Sequence, residues 1–186
     1  MDPKRRLLDA AIKYVAANGV TDISLRRLAA AIGTSHRMLI YHFGSKEGLL
    51  VEIIRAVEQQ QRDALRDLEL TPGTTLEDMA RAFWRRLADP ALWPNERLFF
   101  EVYGQALQGR PGTTALLDRI VEDWVDPIAD LYGRLGVPPK QARATARLGV
   151  AVARGLLLDL LATGDRAGVD AAMERFIELT VGTAST

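Results

Sequence analysis

Apolar residues recur every three to four positions along nearly the whole chain, the period of a helix that buries one face. No segment shows convincing strand alternation. Asp2-Pro3 supplies an N-cap and a first-turn proline. Leu7, Leu8, Ala11, Ile12 and Val15 then form one stripe, and Asn18-Gly19 ends it. Ser24 caps a short second helix with Leu25, Leu28, Ala29 and Ile32 inward, stopped by Gly33. Ser35 caps a third, which carries Leu39 and Phe43 four apart and ends at Gly44. Ser45 caps a fourth, in which Leu49, Leu50, Ile53, Ile54 and Val57 face a core and which runs to about residue 68.

The pattern continues with clear punctuation. Thr71-Pro72-Gly73 is the best boundary inside the chain, and Thr74-x-x-Glu77 reads as a capping box opening a fifth helix. Its stripe is Leu76, Ala80, Phe83 and Leu87. Asp89-Pro90 and Trp93-Pro94 break the chain again. A sixth helix covers 95–108, and Gly109, Pro111 and Gly112 separate it from a long seventh over about 113–135, bent at Pro127. Gly136 and Pro138-Pro139 precede an eighth helix that ends near Ala162, and a ninth covers about 165–180. The fold class is therefore all-α, with about nine helices.

Composition narrows the possibilities. The 186 residues are 48% hydrophobic and 26% charged, enough to bury a sizeable core. There is no cysteine, which excludes disulfides and thiolate metal sites. The N-terminus carries charge where a secretion signal needs an apolar core. The most apolar stretch, 148–162, is interrupted by Arg154 and Asp159 and is too short to span a bilayer. The formal net charge of zero hides an asymmetry: residues 1–55 hold nine Lys/Arg against five Asp/Glu, and the remainder holds 15 against 19. A basic head on an acidic body directs any polyanion to the head.

The head has the means to meet one. Only the turn around Gly33-Thr34 separates the second and third helices, which leaves them steeply crossed, as in a helix-turn-helix. The third helix then projects, with His36, Arg37, Met38, Ile40, Tyr41 and His42 distributed around its free faces. Arg37 can donate twice to guanine or once to phosphate, Tyr41 and His42 can donate to phosphate, and Met38 and Ile40 can touch thymine methyls. Helix starts at Ser24 and Ser45, with Arg26, Arg27 and Lys46 beside them, suit phosphate as well. For Arg26 and Arg27 plain solvated charge is an equal reading.

The run SLRRLAAAIGTSHRMLIYHFGSKEGLL resembles the DNA-binding signature of TetR-family bacterial regulators. The matching elements are Ser24, Leu28-Ala29, Gly33, Ser35, Leu39, Tyr41-His42-Phe43, Ser45-Lys46-Glu47 and Leu49. The resemblance implies that Tyr41 and Lys46 hold phosphate, that Ser24 caps its helix beside the backbone, and that His36, Arg37 and Met38 read bases. Three positions depart from the pattern: Arg37 stands where a small residue is common, Met38 where Ser or Thr is usual, and Ile40 where an aromatic is frequent. Ser24, Arg26, Ser35, His36, Arg37, Met38, Tyr41, His42 and Lys46 are the candidate DNA contacts.

The family resemblance further implies a helix-turn-helix domain at 1–45 and a ligand-binding and dimerisation domain at 46–186. It implies a cytoplasmic, ligand-responsive repressor that binds a palindromic operator as a homodimer through its last two helices, with no cofactor. A small-molecule effector site among Phe83, Trp84, Phe99, Tyr103, Trp124 and Arg154 is likewise implied, although aromatic residues at helical spacing are by default core. Buried Arg154 would need a carboxylate from protein or ligand, or else it snorkels to the surface. Ala146, Gly149, Ala153 and Gly155 permit close helix approach in the eighth helix. His36 and His42 are the only histidines and form no metal-ligand set. An enzyme finds no triad or phosphate loop in support, and a protein-binding helical adaptor is the other rival.

Overall fold

The computed structural model describes residues 2–18, 24–69 and 73–180, which hold nine α-helices and two short 3-10 turns. The helices are α1 (Pro3–Asn18), α2 (Leu25–Ala31), α3 (His36–Phe43), α4 (Lys46–Glu69), α5 (Leu76–Leu87), α6 (Trp93–Leu107), α7 (Glu122–Arg134), α8 (Pro139–Thr163) and α9 (Arg166–Thr180). The all-α expectation holds. Gly19, Thr71 and Pro72, on which two expected boundaries fall, lie outside the described residues. No helix among the described residues is long and apolar enough to cross a membrane.

Three local expectations are corrected. The fifth helix is capped by Thr75, whose hydroxyl accepts from the Asp78 N–H at 3.1 Å, so the cap lies one residue beyond Thr74. Trp93-Pro94 starts α6 instead of breaking the chain, because proline in the first turn gives up only an N–H that would have no partner there. The long seventh helix is shorter than expected. Residues Thr114–Leu117 form a 3-10 turn, Arg119 takes a left-handed conformation at φ 59°, and α7 begins only at Glu122 and continues through Pro127.

The helices pack as two compact units, one drawn from Met1–Gln60 and Pro90–Asp118, the other from Gln61–Asp89 and Arg119–Thr186. In the first, Leu8, Ala11 and Val15 of α1, Leu28 and Ala29 of α2, Leu39 and Phe43 of α3, and Leu49, Ile53 and Ile54 of α4 are buried. Leu98, Phe99, Val102 and Ala106 of α6 are buried in the same unit, and α6 packs on α1. Each fully buried leucine or isoleucine contributes about 1.5–3 kcal/mol. Helices too short to be stable alone are held this way.

In the second unit α7 packs on α8, α8 on α9, and α5 on α9. Trp124, Val125, Ala146 and Val150 are its buried centre, with Leu65, Phe83, Val121, Ile128 and Ala129 packed around them. Polar contacts fix the register. Arg81 makes a bidentate pair with Glu174, at 2.6 Å for the shorter contact, and Trp84 Nε1 donates to Asp170 Oδ1 at 2.7 Å. The hydrogen bonds from Arg81 hold the Glu174 carboxyl below its ordinary pKa. Between α7 and α8, Asp126 accepts from Arg143 at 2.6 Å and Glu122 from Arg147 at 3.0 Å. The Arg143 bond likewise lowers the Asp126 pKa.

Candidate nucleic-acid interface

The turn between α2 and α3 is built by backbone hydrogen bonds. The Thr34 N–H reaches the Ala29 carbonyl at 2.9 Å and the Gly33 N–H reaches Ala30 at 3.3 Å. This double closure needs a left-handed residue, supplied by Gly33 at φ 70°. Ser35 then caps α3 by accepting from the Met38 N–H at 3.2 Å, and Ser24 caps α2 by accepting from Arg27 at 3.2 Å. Leu39 and Phe43 are buried and anchor α3, so its remaining faces are turned away from the core.

The outward face carries the residues the sequence singled out. Ser35, His36, Arg37, Met38, Ile40 and Tyr41 are all exposed, and Tyr41 retains 78% of its surface. An exposed tyrosine beside exposed Met38 and Ile40 is apolar surface without a packing role among the described residues. Arg26 and Arg37 are exposed and Lys46 is half-buried, and none has an ion-pair partner among the described residues. His42 is placed differently. It is half-buried, its ring meets those of Tyr41 and Phe43, and its Nε2 is covered with no hydrogen-bond partner among the described residues.

The join between α3 and α4 is tighter than the sequence suggested. Ser45 caps α4 by accepting from the Gly48 N–H at 2.9 Å. A Cβ at Gly48 would sit 2.3 Å from the Phe43 carbonyl oxygen, so only glycine lets the two helix ends approach this closely. Sequence reasoning did not single out Gly48, since a glycine at a helix start reads merely as a weak helix former.

The effector-site candidates are dispersed. Phe99 and Tyr103 stack on each other at 5.3 Å in the first unit. Phe99 also borders a void of about 10 Å³, room for one water, where Asn95 carries a buried Oδ1 without a partner among the described residues. In the second unit Phe83 meets Trp124 at 5.6 Å within the core, and Trp84 is held by Asp170. Arg154 is half-buried, and its guanidinium donates to the Ile120 carbonyl at 2.7 Å. A larger cleft of about 220 Å³ is bordered by Tyr132, Gly136, Val137, Gln141, Thr145 and Thr180, none of them among the six effector-site candidates named above. Among the described residues no group of three His, Asp or Glu is arranged to hold a metal.

Small residues of α8 serve two ends. Ala146 is buried, and Gly149 lies so near α9 that a Cβ there would meet the Phe176 ring at 3.9 Å, an ordinary packing distance. Leu148, Ala151, Gly155, Leu158 and Ala162 are all exposed and fall at alternating spacings of three and four along α8.

Comparison with known proteins places this architecture. Residues 7–53 match the family model described as bacterial regulatory proteins, tetR family. The HTH-type transcriptional regulator SrpR of Pseudomonas putida is 27% identical over 101 residues, which are 54% of this chain and 45% of SrpR. The chain thus matches less than half the length of that relative. A transcriptional regulator from Rhodococcus sp. RHA1 superposes with a TM-score of 0.77 at 18% identity, covering 98% of this chain and 97% of the other. A protein of Saccharomonospora viridis, solved in complex with choline, superposes at 0.67 with 24% identity, covering 94% and 95%. These two likenesses are of fold.

Proposed function

We propose, from the match of residues 7–53 to the model of the tetR family of bacterial regulatory proteins, that the chain is a member of that family and a cytoplasmic, ligand-responsive transcriptional repressor, not an enzyme. Its partner is double-stranded operator DNA. The single observation that carries this reading is the outward face of α3, where Tyr41 stands 78% exposed beside exposed His36, Arg37 and Met38. In the proposed complex α3 enters the major groove. His36, Arg37 and Met38 meet base edges, Tyr41 and Lys46 hold phosphates, and Ser24, Arg26 and Ser35 line the backbone. His42, whose ring meets that of Tyr41 edge-on at 5.0 Å, is the remaining candidate contact.

One such helix reads only a few base pairs, so a homodimer on a palindromic operator is the economical arrangement. The exposed stripe of α8, Leu148, Ala151, Gly155, Leu158 and Ala162, supports pairing through the last two helices, and Leu179 of α9, 56% exposed, adds apolar surface. A small-molecule effector bound in the helical body would change the spacing of the two heads and lower operator affinity. Operator and effector must then weaken each other equally. The choline complex of the Saccharomonospora protein supports a small-molecule ligand for this fold, and Phe83, Trp84 and Trp124 with Arg154, all in the second unit, are where we would seek it.

The test is a salt titration of duplex binding by fluorescence anisotropy. Affinity should fall steeply with salt, and Lys46→Ala should reduce the slope by about one. Binding that is absent, or indifferent to salt, would favour an adaptor that recognises protein.

A further inference from the structure

The segment that follows α6 does more than connect. Its helix end closes with the Gly109 N–H on the Ala106 carbonyl at 2.9 Å and the Arg110 N–H on Gln105 at 3.1 Å, which turns the chain sharply. Thr113 is wholly buried, and its hydroxyl donates to the Arg110 carbonyl at 2.8 Å. Leu116 is wholly buried as well. So this stretch is a built structure inside the first unit, and it lies along α4.

Contacts with α4 occur at two levels. The Arg110 guanidinium meets Glu47 Oε1 at 3.4 Å, and the guanidinium of Arg55 donates to the Ala115 carbonyl. Glu47 and Arg55 are separated by about 12 Å along the helix. Between these contacts and the chain turn, Gly112 at φ 83° brings its backbone so close that a Cβ there would be 3.0 Å from Glu47 Cβ and 3.6 Å from Ser45 Oγ. Ser45 is the α4 cap, and Lys46 stands between it and Glu47.

Resting on the DNA-binding reading above, we infer that residues 110–116 clamp the first turns of α4, with Arg110, Gly112 and Glu47 acting as positioning residues for DNA binding. The clamp holds the α4 start, and through it Lys46 and the α3 end, in the pose that meets phosphate. Arg110 acts through Glu47 and touches no DNA.

This assignment predicts a sign that simple electrostatics reverses. Removing an acid beside a phosphate contact would ordinarily tighten DNA binding. Under the clamp, Glu47→Gln weakens it by about threefold to tenfold, the range of a surface pair plus its positioning effect. Arg110→Ala weakens binding similarly but leaves the salt slope unchanged, Arg110→Lys restores most of the affinity, and the Glu47→Gln/Arg110→Ala double variant loses no more than either single one. Gly112→Ala, which strains both the backbone and the Glu47 contact, also weakens binding. The probe is a duplex selected by the wild-type protein from a random library, titrated below the melting range of every variant as fixed by circular dichroism. Both Glu47 and Arg110 are at least partly exposed, so substitutions at these two positions should leave the fold intact. Unchanged or tighter binding by Glu47→Gln overturns the clamp, and a slope lowered by one in Arg110→Ala overturns it too, by making Arg110 a phosphate contact. A wild-type protein that binds no duplex would overturn the DNA-binding reading itself, a failure distinct from these.

Discussion

Alanine at position 48 should damage this protein where alanine at position 104 should help it. Both glycines sit inside helices, Gly48 in the third position of α4 and Gly104 within α6. Replacing a helical glycine by alanine ordinarily stabilises by about 0.5–1 kcal/mol through the unfolded chain. At Gly104 the added Cβ meets nothing within 4 Å, so that gain should appear in full. At Gly48 the Cβ would lie 2.3 Å from the Phe43 carbonyl oxygen, and this obstacle is backbone. Carbon and oxygen settle no closer than about 3.3 Å, so the ends of α3 and α4 must part by about 1 Å. Overpacking of this kind costs about 1–3 kcal/mol, which leaves a net loss of up to about 2.5 kcal/mol after the helix gain. The gap between the two variants is the overpacking cost itself, so thermal unfolding followed by circular dichroism should place Gly48→Ala about 2–12 °C below Gly104→Ala, given about 2–4 °C per kcal/mol at this chain length. Duplex affinity should fall about tenfold in Gly48→Ala alone, because the same parting displaces α3 and Lys46. If Gly48→Ala melts at or above Gly104→Ala, the close approach of α3 and α4 is not what the glycine provides.

Other consequences separate function from stability. Tyr41→Ala should cost at least about tenfold in duplex affinity while shifting stability by less than about 0.5 kcal/mol, since Tyr41 is 78% exposed; a fall in melting temperature matching the affinity loss would make its role structural. Trp84→Phe should destabilise by about 1–3 kcal/mol in urea unfolding, because it leaves Asp170 without the indole N–H that reaches it at 2.7 Å; an unchanged midpoint would show that bond to be idle. Acid should weaken the fold. Hydrogen bonds from Arg81 and Arg143 lower the folded pKa values of Glu174 and Asp126, so their contribution is complete above the ordinary carboxylate range and is lost as pH falls through the lowered values. Arg81→Gln should flatten the acid side of a melting-temperature profile, and an unaltered profile would remove Glu174 from the account.

The legible parts of this molecule were those written locally. Ser24, Gly33, Ser35, Gly44 and Ser45 punctuate α2, α3 and the start of α4 because each cap or left-handed turn is specified by a single residue and its near neighbours. The exposed face of α3 followed at once from burying Leu39 and Phe43. Less legible were features set by distant partners. The path of residues 114–121 depends on a left-handed Arg119, which pairs with Asp123 and Asp126 at 2.9 Å, and arginine carries no signal for that conformation. The short distance at Gly48 and the clamp from Arg110 to Glu47 arise from packing between elements. The aromatic residues of the body read equally well as core or as pocket, and Phe83 with Trp124 shows why: ring pairs that could enclose a ligand also fill a core.

Selection of bound duplexes from a random library with purified full-length protein is the most direct measurement of the central claim. A paired α3 reading two half-sites should enrich a two-fold symmetric sequence with half-site centres one helical turn apart, roughly 34–36 Å, or a multiple of it. Tyr41→Ala should enrich nothing under the same conditions. Failure of the wild-type protein to enrich any sequence, or enrichment that survives Tyr41→Ala, would contradict the assignment of α3 as the DNA-reading helix.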